Sequence, residues 1–157
     1  MKKLRLLRNT CQSTAKFWLF TFSVAGFAIL FYSPATSAIA QETKSVNDGV
    51  FTKEQATRGE IAYEQECATC HLADLLGDGI APALTGAAFD FRWSELSVGD
   101  MFVAIRATMP QGAPASLSPQ GYADIVSYIL LRNDLPAGEK ELPTDEAALN
   151  NIIITAE

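Results

Sequence analysis

Histidine is almost missing from this chain: His71 is the only one in 157 residues. Cysteine is scarce too, confined to Cys11, Cys67 and Cys70. The first forty residues contain no acid. Each scarcity removes a class of chemistry. A tetrahedral zinc site takes four protein ligands, or three and a water, and no second Cys-x-x-Cys exists to complete one. A metal held between two histidines cannot be assembled within one chain. The apolar, charge-free run near the start, residues 17–32, falls short of the roughly 20 apolar residues that a spanning helix needs.

That stretch has a different set of flanks. Lys2, Lys3, Arg5, Arg8 and Lys16 precede it, and a stretch of mostly small residues ending in Ala38-Ile39-Ala40 follows it. Basic start, short apolar run and A-x-A end are the parts of a secretory signal peptide, expected to be cut after Ala40. An uncleaved membrane anchor is the other reading of the same segment. After cleavage seven basic residues face all eighteen acids, a net charge of −11. Nucleic acid is excluded as a partner, because binding it takes a basic face. An exported protein that meets partners with basic surfaces fits this balance. Cys11 leaves with the signal. It is not a lipoprotein-type site, since Asn9 and Thr10 precede it.

Cys67, Cys70 and His71 then stand together as Cys-Ala-Thr-Cys-His. A thioredoxin-like pair wants a strand before it and a helix after it; here a helical pattern runs into the pair. A structural disulfide suits an oxidising compartment, yet leaves the adjacent histidine without a purpose. Covalent haem uses all three residues. The cysteines lie about one helical turn apart, so both thiols reach one porphyrin edge, and the imidazole follows on the same turn. A carrier of electrons usually adds a second axial ligand, and methionine is the usual alternative to histidine. Met101 lies within an apolar helical pattern with Val98, Phe102 and Ile105, which reads as core. Met109 precedes Pro110, Gly112 and Pro114. Proline restricts the residue before it to extended geometry, so Met109 should stand at a helix end on a stiff loop, and it is the expected ligand.

Three main helices frame these residues, together with short ones. The first starts at Thr52, with Gln55 as capping-box partner and Phe51 with Ala56 as a hydrophobic staple. The second starts at Ser97 with Asp100 as its box. The third has Ser118 as cap, Pro119 in the first position, and Tyr122, Ile125, Val126 and Ile129 as its apolar stripe.

From residue 52 to about 133 the chain resembles a class I cytochrome c. The matching residues are Cys67-Ala68-Thr69-Cys70-His71, Ala81-Pro82-Ala83-Leu84, Thr108-Met109-Pro110 and Ile125-Val126-Ser127-Tyr128. The resemblance implies an all-α fold wrapped around one haem, with the first and third helices crossing where small Gly59 admits Tyr128. It implies that the Pro82 carbonyl braces His71 Nδ1, and that Leu84 lies against the cofactor. Leu72 departs from the pattern, where many members have glycine. The stretch from Phe89 to Leu130 is similar to small cytochromes that serve quinoprotein dehydrogenases. Phe89, Phe91 and Trp93 read as core, with Arg92 or the Trp93 N–H as an alternative partner for a haem propionate. The expected organisation is a signal peptide over residues 1–40, a linker over 41–51, the cytochrome domain over 52–133, and an extension over 134–157 with a short helix capped by Thr144. The expected activity is periplasmic single-electron transfer by one covalent haem c with His71 and Met109 on its iron, without catalysis. A quinoprotein dehydrogenase is the expected donor; an oxidase or another cytochrome is the expected acceptor. A membrane is involved only if the N-terminal segment is retained. The rivals are a dehydrogenase subunit, a haem protein with an open sixth position, and a haem-free Cys-x-x-Cys module.

Overall fold

The computed structural model describes residues 42–155, so the expected signal peptide lies outside the described residues. Helix α1, Lys53–Glu66, starts where the Thr52 hydroxyl accepts the Gln55 N–H at 3.1 Å. Only half of the expected capping box is present. The Gln55 side chain turns away from Thr52 and is fully buried. Its amide donates to the Leu142 carbonyl at 3.1 Å and accepts the Leu142 N–H at 2.7 Å. Buried peptide groups need partners, and Gln55 supplies both for Leu142.

Two short helices follow, α2, Ala68–His71, and α3, Ala87–Trp93. Phe89 and Trp93, four residues apart on one face of α3, are buried. Phe91 lies between them in sequence and is 95% exposed, contrary to its expected place in the core. Helix α4, Val98–Thr108, has the complete expected box: Asp100 N–H to Ser97 Oγ at 3.0 Å, and Ser97 N–H to Asp100 Oδ2 at 2.9 Å. Val98, Met101 and Phe102 are buried beneath it.

Helix α5, Pro119–Arg132, is capped by Ser118. It buries every residue from Tyr122 to Leu130, more than the single stripe expected. The polar members therefore carry their own partners. Ser127 donates to the Ala123 carbonyl at 2.9 Å. Asp124 accepts two bonds from Arg58, at 3.0 and 3.1 Å, and one from Gln120 at 2.7 Å. Helices α1 and α5 cross at Gly59, where an added Cβ would lie 2.9 Å from Tyr128 Cβ and would collide with the Asp124 carbonyl. Further along the crossing, the rings of Tyr63 and Tyr128 pack 5.4 Å apart.

The flanking segments pack onto this frame. Strand β1, Lys44–Ser45, pairs in parallel with β2, Ile152–Ile153; these are the only named strands among the described residues. Val46 and Phe51, in the segment read as a linker, are fully buried. So are Leu142, Leu149 and Ile154 at the other end of the chain, each at most 1% exposed. Helix α6, Glu146–Leu149, begins one residue later than expected, because Asp145 rather than Thr144 caps it by accepting the Ala148 N–H at 2.9 Å.

Candidate functional site

Helix α1 breaks at Cys67 (φ −125°, ψ −35°), and α2 restarts the coil as a single turn. The break re-aims the turn that carries Cys70 and His71, whose N–H groups both return to the Cys67 carbonyl, at 3.1 and 3.0 Å. The turn ends at Leu72 with φ 61°, a conformation that suits glycine and strains a branched residue. Tyr63 holds the strained residue in place: its buried hydroxyl donates to the Leu72 carbonyl at 2.7 Å. Burial pushes the Tyr63 phenol above the ordinary tyrosine range, so it stays a donor. Burial, with smaller contributions from Glu66 and Cys70, raises the Cys67 thiol to about 11.

The loop after the turn folds back on itself. The Asp78 carboxylate accepts the N–H groups of Ala81 and Ile80, at 2.8 and 2.9 Å, and these bonds hold its pKa below the usual value. The Gly77 N–H bonds to the His71 carbonyl at 3.0 Å. Asn133, at the end of α5, fixes the other side of the loop by donating to the Leu84 carbonyl and accepting the Gly86 N–H. The Pro82 carbonyl lies 2.9 Å from His71 Nδ1. A carbonyl can only accept, so Nδ1 carries a proton, and in the neutral ring the lone pair is then on Nε2. A histidine braced in this way is oriented to coordinate a metal through Nε2.

These elements surround one cavity of about 640 Å³, within the range of roughly 300–1,000 Å³ that ligand pockets occupy. Cys67, Cys70, His71, Pro82, Leu84 and Met109 all line it. Met109 caps α4 in extended geometry (φ −125°, ψ 152°). Met101 does not line the cavity; it is 1% exposed in the core. The apolar walls come from Ala104 and Ile105 of α4 and Ile125 and Ile129 of α5. The helical stripes contain these residues, but periodicity cannot say which part of an apolar face meets a cavity and which meets another helix. Trp93 lines the cavity, and Arg92 is its one arginine or lysine, against the acids Glu66 and Asp78. Ile80 and Phe91 also border it, at 94% and 95% exposure. Among the described residues no three His, Cys, Asp or Glu side chains converge as a zinc site would need.

Residues 54–129 match the family model described as cytochrome C oxidase, cbb3-type, subunit III. The match supports a class I c-type cytochrome domain over these residues. No curated protein and no solved structure matches the chain significantly. A cytochrome c domain carries covalently bound haem c, whose iron transfers electrons to and from protein partners. The cavity of this cytochrome domain fits such a group. It offers two thiols on one turn, an imidazole with Nε2 available, a thioether, mostly apolar walls and one guanidinium. Among the described residues no helix is long and apolar enough to cross a membrane.

Proposed function

We propose that the chain is a periplasmic electron carrier with one haem, in which Cys67 and Cys70 hold the porphyrin and His71 and Met109 bind the iron. The observation that carries this reading is a cavity lined together by the only histidine of the chain, both cysteines that follow the signal segment, and one of two methionines there. Bound haem supplies an iron that cycles between ferric and ferrous states one electron at a time. The chain's own residues set the conditions for that cycle. Pro82 fixes the His71 tautomer, and the second-sphere bond makes the imidazole more basic. The apolar walls keep water away, which favours the less charged ferrous state, and a thioether ligand raises the potential further. Arg92 is the partner for the propionates, whose charge would otherwise face Glu66 and Asp78.

The protein transfers electrons and is not itself a catalyst. Residues 1–40 direct export and are removed. The oxidase in the matching family's description favours an oxidase as acceptor; a quinoprotein dehydrogenase is the donor class suggested by the stretch around Phe89 to Leu130. The test is direct. Exported protein, denatured on a gel, should keep haem colour at the mass of residues 41–157 plus one haem. Met109→Ala should open the ferric iron to cyanide and lower the potential, while Met101→Leu leaves the visible spectrum unchanged. Colour lost on denaturation refutes the covalent reading, and the opposite behaviour of the two methionine variants reverses the ligand assignment.

A further inference from the structure

Residues 110–116 between α4 and α5 are largely exposed, with Pro110 half-buried. Within the loop, the Ala113 N–H bonds to the Pro110 carbonyl at 2.8 Å and the Ala115 N–H returns to the Arg106 carbonyl at 3.0 Å. One side chain from the core reaches both ends of it. The Tyr122 hydroxyl donates to the Met109 carbonyl at 2.8 Å, and the Leu117 N–H approaches the same hydroxyl at 3.5 Å. Tyr122 is 1% exposed, and its ring stands edge-on to Phe102 at 6.3 Å. The donor is therefore fixed, while the loop it holds faces solvent.

We infer that Tyr122 is a positioning residue that latches Met109 into the cavity and sets how readily an external ligand displaces it. The inference rests on Met109 being an iron ligand. The latch acts on displacement in which the backbone at Met109 swings outward. That movement breaks the bond from Tyr122 and leaves a buried hydroxyl without its partner. The His71 side has no such freedom, since Cys67 and Cys70, on the turn immediately before it, tether that turn. Displacement by an outside base is thus resisted at the loop, and the latch contributes a factor of roughly two to twelve to the equilibrium, the net worth of one hydrogen bond.

The experiment titrates ferric holoprotein with imidazole and follows the visible spectrum. Tyr122→Phe keeps the ring and removes the hydroxyl; imidazole should bind roughly two- to twelvefold more tightly. Ser127→Ala is the control, because Ser127 is a buried hydroxyl on the same helix that bonds only to its own backbone turn at Ala123; imidazole affinity should equal the parent's. In a Met109→Ala background, which binds imidazole tightly, adding Tyr122→Phe should change nothing. An unchanged affinity in Tyr122→Phe overturns the latch while leaving the ligand assignment intact. So does an equal effect in Ser127→Ala, or an effect that persists without Met109. If Met109→Ala itself leaves imidazole affinity unchanged, the ligand assignment falls first.

Discussion

Gly59→Ala sets two physical effects against each other, and the geometry decides which wins. In the interior of an exposed helix, alanine is better than glycine by about 1 kcal/mol. At Gly59 the new methyl would lie 2.5 Å from the Asp124 carbonyl carbon and 2.9 Å from Tyr128 Cβ, against about 3.5–4.0 Å for a relaxed carbon–carbon contact. Asp124 belongs to the α5 backbone, so no rotamer change relieves the overlap. The helices must separate by roughly 1 Å. That separation stretches the two bonds from Arg58 to Asp124 and loosens the packing of Tyr63 on Tyr128. Overpacking of this kind costs about 1–3 kcal/mol, and the rigid backbone places Gly59 at the upper end. After the gain in helix propensity, a net loss of about 2 kcal/mol remains. For a domain of this size it corresponds to a fall of roughly 8 °C in Tm. Urea unfolding of the holoprotein, followed by far-ultraviolet circular dichroism, measures it as a lower midpoint at unchanged slope. A variant as stable as the parent, or more so, means that the crossing has slack, and the packing argument is wrong.

Gln55→Ala should strand the N–H and carbonyl of Leu142 at a cost of roughly 1–3 kcal/mol, seen as a lower unfolding midpoint and as earlier proteolytic cutting after residue 134; normal resistance would mean that the extension docks without that pair. Asp78 has a depressed folded pKa, so its stabilisation is present above the ordinary carboxylate value near pH 4 and is lost as pH falls through the lower folded value. Asp78→Asn should flatten the acid limb of a Tm–pH curve, and parallel curves would contradict this. Arg92→Gln removes the one arginine among the cavity-lining residues and should lower the midpoint potential in spectroelectrochemistry; no shift would place the propionates elsewhere. Electron transfer to a partner with a basic face should slow between 0.01 and 0.1 M salt, as the Debye length shrinks from about 30 to 10 Å, whereas a flat stopped-flow rate would send the docking face to apolar residues.

Local signals in the sequence were legible where chemistry is local. Ser97 with Asp100, and Ser118 with Pro119, mark helix starts because each cap is satisfied within a few residues of itself. The extended geometry of Met109 at the end of α4 was legible because Pro110 acts on its immediate neighbour. Long-range partners were not. Thr52 and Gln55 read as a closed box, yet the bond that matters for Gln55 comes from Leu142, 87 residues away. Phe91 looked like core in an aromatic cluster, but the cluster winds into a helix that turns it outward. Leu72 stood out only as a departure from the family pattern; its positive φ, and Tyr63 holding it, could not be read from spacing alone.

Lys44 and Ile152 are neighbours across the small parallel pair, so the polypeptide enters and leaves the folded unit at almost one point, strands in a sheet lying about 4.8 Å apart. Such a unit behaves as a cassette. A linker of a few residues can join its two ends into a circular permutant, and the same unit can be spliced into a surface loop of another protein without spreading that loop apart. The redox chemistry would travel with it, because none of the residues lining the cavity lies outside the span from Tyr63 to Ile129.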